Sequence, residues 1–466
     1  MYKNFIITQS FKTTSKSIFI IGLPVILQSM AFYIMTFINS AFIGHYDLKA
    51  LSAINNVMIP MNMLFTLLIA LSQGTTVLIA HSIGAKNTTA AVKIAESSIF
   101  YIQLISIGYC FFWMFFGKHV LMIMGVSDEI LKSGVEFVKV FSLMFLTGGL
   151  NIAAGAIFQG IGKTKPIMTN TILRSILNIF LDYCLIFGKF GLPQLGLTGA
   201  AISSVISATI CNILLYRKVF RNGYLPLSFK GILQPQKGVY KKVFIFGAQA
   251  GLEFMLWTGA QVVLVRMLNM HDQISAGLYG ILCTLISLSF NLYIGIGTAA
   301  MTLVGHSCGA NRKDEVMGIG NICTFYSIIF CIFVCLIFAA APEFTLSIFT
   351  RDIAVIDQLV AMMPVVIILL FPKAINVVIG NAIRGTGDVR WMLMTQVVGT
   401  AIIIVLSGIL LLHFKLGLIG LMYANFFDEF WRSIVNYVRF FYKAGKLKSR
   451  KNEKIKMQMP AEVEVL

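Results

Sequence analysis

The chain has 466 residues, of which 58% are hydrophobic and only 12% charged, where soluble domains run at about 45–50% apolar and about 25% charged. That balance excludes a water-soluble protein, and roughly 270 apolar residues suffice for about a dozen bilayer crossings at about 20 residues each. A net charge of +18 would point to nucleic acid in a soluble chain, but here the basic residues gather between apolar runs and nucleic acid is not an expected partner.

The N-terminal MYKNFIITQSFKTTSKS leads into an apolar run without a small-residue cleavage site, so the first run is expected to stay as a helix. Apolar runs follow at 17–44, 52–80, 94–117, 135–160, 166–189, 194–216, 242–269, 275–305, 316–341, 356–383, 391–413 and 417–441, which predicts an all-α integral membrane protein with twelve transmembrane helices. With both termini cytoplasmic, the inner segments carry 26 Lys and Arg and the outer ones 6. The positive-inside rule therefore orients the chain that way in a plasma (inner) membrane. The eight cysteines lie in or at the ends of apolar runs without CxxC spacing and read as small hydrophobes, not as a disulfide or zinc framework.

The halves repeat. His81-Ser82-Ile83-Gly84-Ala85 matches His306-Ser307-Cys308-Gly309-Ala310, and Gly160-Ile161-Gly162 matches Gly385-Thr386-Gly387, both pairs 225 residues apart. Six helices per half is an even number, so both halves enter the membrane from the same side as parallel repeats. The expected organisation is an N-terminal six-helix lobe (1–216), a cytoplasmic inter-lobe linker (217–241), a C-terminal six-helix lobe (242–441) and a basic cytoplasmic tail (442–466). Gly160-Ile161-Gly162-Lys163-Thr164 looks like the end of a phosphate-binding loop, but the required glycine five positions before Gly162 is Ile157, and no strand precedes it.

Ionisable residues within spans are costly and mark ion or substrate paths. Arg174, Asn178 and Asp182 fall at i, i+4 and i+8, one stripe on the fifth helix. Asp182 lies roughly 9 Å, and Asn39 roughly 7 Å, from the outer ends of their helices. A carboxylate beside amide and hydroxyl oxygens can hold a proton or offer oxygen ligands to Na⁺. The structural alternatives are a bridged pair with Arg174, about 12 Å of helix rise away, and snorkelling to the outer surface. Glu253 and Lys373 both lie about 16 Å deep, at the midplane. They invite an ion pair that either fixes packing or is broken during transport. Trp257 stands one turn from Glu253, as a site for a lipophilic cation requires, although a packing or lipid-facing Trp is the commoner case. Asp428, Glu429 and Arg432 read as structural, with Asp428 and Arg432 at pairing distance in sequence. Pro24 is a candidate hinge.

Twelve helices in two parallel lobes, Gly84-Ala85-Lys86-Asn87 after the second helix and Arg384-Gly385-Thr386-Gly387-Asp388 after the tenth resemble the multidrug and toxic compound extrusion (MATE) family over nearly the whole chain. Pro24, with Asn39 fifteen residues on, is similar to the family's first-helix pattern. Asn178 and Asp182 match its N-lobe cation site, Ser204 stands near the hydroxyl position of that site, and Leu252-Glu253-Phe254 with Trp257 is similar to its seventh-helix acid motif. There are two departures: Asn39 replaces the first-helix acid, and Lys373 stands where one branch of the family has an acid. The resemblance implies a monomeric antiporter without cofactor or catalytic residues. It would export lipophilic, cationic small molecules against H⁺ or Na⁺, with the coupling ion at Asp182, Asn178, Asn39 and Ser204 and a second site at Glu253, Lys373 and Trp257. The lost carboxylate at Asn39 favours H⁺, since one buried acid suffices to exchange a proton. The alternative is a flippase for lipid-linked precursors of the same superfamily, which Arg174 and Lys373 favour and twelve spans oppose.

Overall fold

The computed structural model describes residues 9–123, 128–221, 223–312 and 314–458. Lys3, Lys313 and the tail segment 459–466 lie outside the described residues, as do the side chains of the basic residues from Lys446 onward. Among the described residues every regular element is helical. In hydrocarbon this is what long apolar runs must do, since only a helix satisfies its backbone within one segment.

Two compact units emerge, Leu23–Gly251 and the remainder. The first holds most of α1 (Gln9–Tyr46), then α2 (Leu48–Gly84), α3 (Thr88–Ile123), α4 (Asp128–Ser142), α5 (Phe145–Ile161), α6 (Lys165–Phe187), α7 (Gly196–Arg221), the short α8 (Phe229–Leu233) and the start of α9 (Lys237–His271). The second holds the first residues of α1 and the rest of α9, with α10 (Gln273–Gly309), α11 (Glu315–Ala340), α12 (Pro342–Ser347), α13 (Ile353–Gly385), α14 (Val389–Gly408) and α15 (Gly417–Gln458). The stretch 217–241, expected as a linker, packs inside the first unit. Ser228 donates to Glu96 Oε1 through its backbone N (2.8 Å) and its hydroxyl (3.1 Å), and Gln236 N donates to Ser97 Oγ (3.1 Å).

Ten of these helices are each long and apolar enough to cross a bilayer, and α4 with α5 makes an eleventh crossing bent by 52°. The bend falls at Leu143 and Met144, where backbone bonds from residue i+3 to residue i replace the α-helical ladder. Gln103 of α3 braces the first turns of α5 after the bend, donating to Leu146 O (2.7 Å) and accepting from Leu150 N (2.9 Å), while Ser106 donates to Phe145 O (2.7 Å). A helix broken this way keeps its polar groups satisfied at membrane depth. The twelfth crossing, α15, carries Asp428, Glu429 and Arg432, all buried.

The duplication read from two sequence matches is written in the backbone. Left-handed residues recur 225 apart: Lys86 (φ 56°) with Asn311 (φ 59°), Gly162 (φ 82°) with Gly387 (φ 88°), and Phe190 (φ 57°) with Lys415 (φ 54°). A Cβ at Gly160 would meet Thr76 O at 2.8 Å, and one at Gly385 would meet Met301 O at 2.6 Å, again the same offset on both partners. Each unit also contains the opening turns of one long helix. In the first, Gly247 of α9 lies against Leu71 of α2, and Val243 joins a core with Ile79, Ala91 and Phe158. In the second, Gly22 of α1 lies against Gly295 of α10, and Ile18 and Ile21 join a core with Ile296 and Ala299.

Candidate functional site

In the Leu23–Gly251 unit, the polar stripe on α6 meets α7 at a point where α7 has no side chain. A Cβ at Gly199 would sit 2.7 Å from Leu185 O, so only glycine allows this approach. One turn further along α7 the hydroxyl of Ser203 then reaches Asp182. Asn39 Nδ2 donates to Asn178 Oδ1 (2.9 Å), Asn178 Nδ2 donates to Ser203 Oγ (3.2 Å), and Ser203 donates to Asp182 Oδ1. Asp182 and Ser203 are fully buried and Asn178 nearly so. Three of the four residues expected at this site are thus brought together. The fourth, Ser204, is not at the carboxylate: its neighbour Ser203 takes that place, because one residue along a helix turns the side chain by about 100°.

The amides and the hydroxyl lead towards Asp182, with the Ala200 carbonyl (3.0 Å) a second acceptor for Ser203, and two buried oxygens, Asp182 Oδ2 and Asn39 Oδ1, have no hydrogen-bond partner among the described residues. A buried carboxylate oxygen left this way accommodates a proton or a small cation with oxygen ligands. Arg174 does not neutralise Asp182. Its Nη2 donates to Met144 Sδ (3.2 Å) at the bend before α5, and its buried Nε has no hydrogen-bond partner among the described residues.

The charged residues of the second unit pair differently from their depth in sequence. Lys373 on α13 pairs with Glu429 on α15 (2.7 Å), not with Glu253, and Glu253 on α9 pairs with Arg384 (2.5 Å). Equal depth fixes only one coordinate; Lys373 and Glu253 belong to helices whose facing sides present other partners. Glu429 also accepts from Asn376 (2.8 Å), whose Oδ1 accepts from Asn436 (2.8 Å). Arg432 pairs with Asp428 (2.7 Å), as the i, i+4 spacing anticipates, and donates to Gln396 Oε1 (2.6 Å). Glu429 keeps the structural role expected of it, but its main partner comes from another helix, 56 residues away, which the spacing along α15 does not announce. Trp257 is 41% exposed and packs on Phe254, 5.6 Å between ring centroids. Pro24 lies inside α1, two residues past the point where that helix passes from one unit to the other. Among the described residues no group of three or more His, Cys, Asp or Glu is placed to hold a metal ion.

Outside the spans, Asp388 in the turn before α14 accepts from Arg439 Nη2 (2.8 Å) and Lys443 Nζ (3.1 Å), and the Arg439 guanidinium lies over Trp391, 4.6 Å from the ring centroid. Burial pushes the Asp388 carboxyl up, but the two cations outweigh it and hold its pKa below the ordinary carboxylate value. A group depressed in the folded chain stabilises it fully above the unfolded pKa of about 4, and the contribution is lost as pH falls through the folded value. Thermal stability of the wild type is therefore expected to fall more steeply than that of Asp388→Asn between about pH 5 and about pH 3, with the two curves converging at the acid end. Parallel curves would show that the cluster adds nothing.

Residues 24–184 and 250–409 match the MatE family model. The chain is 29% identical over 458 residues to "Probable multidrug resistance protein NorM" of Thermotoga maritima, covering 97% of each chain. It is 25% identical to "Uncharacterized transporter YisQ" of Bacillus subtilis, covering 91% of this chain and 93% of that one. Its fold superimposes with a TM-score of 0.87 and 18% identity on the outward-facing conformation of a multidrug resistance MATE family transporter of the MOP superfamily, covering 95% and 98% of the two chains. A duplicated twelve-helix architecture, two family-matched segments that fall one in each half, and relatives aligned from end to end lead to one assignment: the chain belongs to the MatE family of transporters.

Proposed function

We propose that this transporter exports lipophilic, cationic small molecules from the cell in exchange for an inward-moving cation, H⁺ in preference to Na⁺, by alternating access of its two lobes. The observation that carries the coupling site is the geometry at Asp182: a fully buried carboxylate with one oxygen hydrogen-bonded by Ser203 and the other without a partner among the described residues. Asn178 and Asn39 complete the site by orienting Ser203. Asn39 supplies an amide oxygen where a second carboxylate would strengthen a Na⁺ site, which favours the proton. Glu253, held by Arg384, is the second candidate. The multidrug names of the relatives support efflux, and the 26 to 6 distribution of basic residues supports an inner-membrane protein with both termini cytoplasmic.

In the exchange, protonation of Asp182 from outside removes the charge that favours the cation-loaded state, and the drug leaves. Deprotonation towards the cytoplasm resets the lobe. The ion and the drug must favour opposite states for either to drive the other. Pro24, lacking a backbone donor inside α1, is the proposed hinge. A second reading, a flippase for lipid-linked anionic precursors, is favoured by Arg174, which forms no ion pair among the described residues.

The test is efflux of a fluorescent cationic dye from proteoliposomes under an imposed pH gradient or an imposed Na⁺ gradient. Efflux driven by the pH gradient alone is expected. Efflux driven only by Na⁺ would overturn the choice of ion, and no dye movement under either gradient would favour the flippase.

A further inference from the structure

We propose that the exposed furrow formed by α6 and α7 binds one anionic phospholipid, its phosphate held by Arg217, Lys218 and Arg221 and an acyl chain laid along the apolar side chains beyond them. The basic end is a cavity of about 380 Å³ lined by those three cations with Thr169, Asn170, Leu173 and Leu214. Arg217 and Arg221 stand one turn apart on the last turns of α7, and Lys218 Nζ lies 3.4 Å from Thr169 Oγ1 on α6. No acid lines the cavity, and none of the three cations forms an ion pair among the described residues. The contrast with the other basic cluster is informative: Arg439 and Lys443 converge on Asp388, so that site already holds its anion.

The apolar part of the furrow argues for a lipid over a free phosphate. From Thr169 the same face of α6 presents Leu173, Ile176 and Phe180, which are 46%, 63% and 53% exposed. From Arg217 the facing stripe of α7 presents Leu214, Ile210 and Ile206, all exposed. Thr169 to Phe180 is about 17 Å of helix rise, close to the roughly 15 Å of one hydrocarbon leaflet. Charge at one end and a leaflet's length of exposed apolar surface beyond it match a single amphiphile. Basic pockets at the membrane edge of helix pairs recognise phosphate headgroups in this way.

The experiment measures the thermal midpoint of the purified protein after addition of phosphatidylglycerol, phosphatidylcholine or inorganic phosphate. Phosphatidylglycerol is expected to raise the midpoint by about 5 °C more than phosphatidylcholine, as a ligand of the folded state does. That difference should vanish in Arg217→Gln/Lys218→Gln/Arg221→Gln and persist in Lys241→Gln/Lys242→Gln, which removes exposed charge outside the furrow. A difference retained in the triple variant, or an equal rise with inorganic phosphate, overturns the proposal. Leu214→Trp gives a second readout with the basic residues intact: brominated phosphatidylglycerol should quench the new tryptophan more than brominated phosphatidylcholine at equal mole fraction. Equal quenching overturns it, and this measurement decides alone if the triple variant does not fold.

Discussion

Asp182→Asn is expected to reduce gradient-driven dye efflux by about 100-fold or more, to the level of leak, while the protein stays folded. A ligand that binds both states of a transporter equally shifts nothing, and a neutral amide no longer distinguishes a protonated from a deprotonated state. The substitution keeps the shape of the side chain and an acceptor oxygen for Ser203, so the chain of hydrogen bonds from Asn39 through Asn178 has an end to point at. Asp182→Ala differs, because it removes the buried acceptor and leaves the Ser203 hydroxyl only the Ala200 carbonyl at 3.0 Å, next to a void where the carboxylate stood, and should cost a further ~1–3 kcal/mol of stability. Comparing the two by efflux and thermal unfolding separates coupling from folding. Retained efflux in Asp182→Asn together with loss in Glu253→Gln would move the coupling to the second unit.

How much of this was legible beforehand depended on which coordinate sequence encodes. Hydropathy and the 225-residue offset fix the number and order of the spans because lipid leaves the backbone few alternatives. The stripe of Asn178 and Asp182 was legible because i, i+4 spacing is a property of one helix. Ser203 was missed by one position, because which hydroxyl faces α6 depends on the rotation of α7, set by the contact of Gly199 with Leu185. Lys373 and Glu253 illustrate the same limit at longer range. Their depths agree, but depth says nothing of azimuth, and each found a partner elsewhere. The bend after α4 carries no proline; its local cue is Gly148-Gly149, and Gly149 is where Gln103 of α3 comes close to α5. The Gln103 amide oxygen accepts from Leu150 N as its nitrogen donates to Leu146 O, a bridge that only the packed structure reveals.

Glu429→Leu is expected to destabilise the protein by about 3–5 kcal/mol, more than any other single change in the second unit, because it leaves an uncompensated buried cation. Lys373 loses its only ion-pair partner among the described residues, Arg432 loses its second carboxylate at 3.6 Å, and Asn376 loses an acceptor at 2.8 Å. The double variant Lys373→Met/Glu429→Leu should recover most of that loss, since apolar groups of similar size replace a buried pair at little cost. Thermal unfolding of the wild type, both single variants and the double variant closes the cycle, and a coupling of about 2–3 kcal/mol is expected for groups in contact. Single variants that each cost less than about 1 kcal/mol would mean the pair is hydrated and already screened. The outcome also bears on transport. If Lys373 is neutralised by Glu429, it offers no fixed positive charge to a substrate, and two carboxylates of that unit keep a buried oxygen without a hydrogen-bond partner among the described residues: Glu253, whose Oε1 is held by Arg384, and Asp428, whose Oδ2 is held by Arg432.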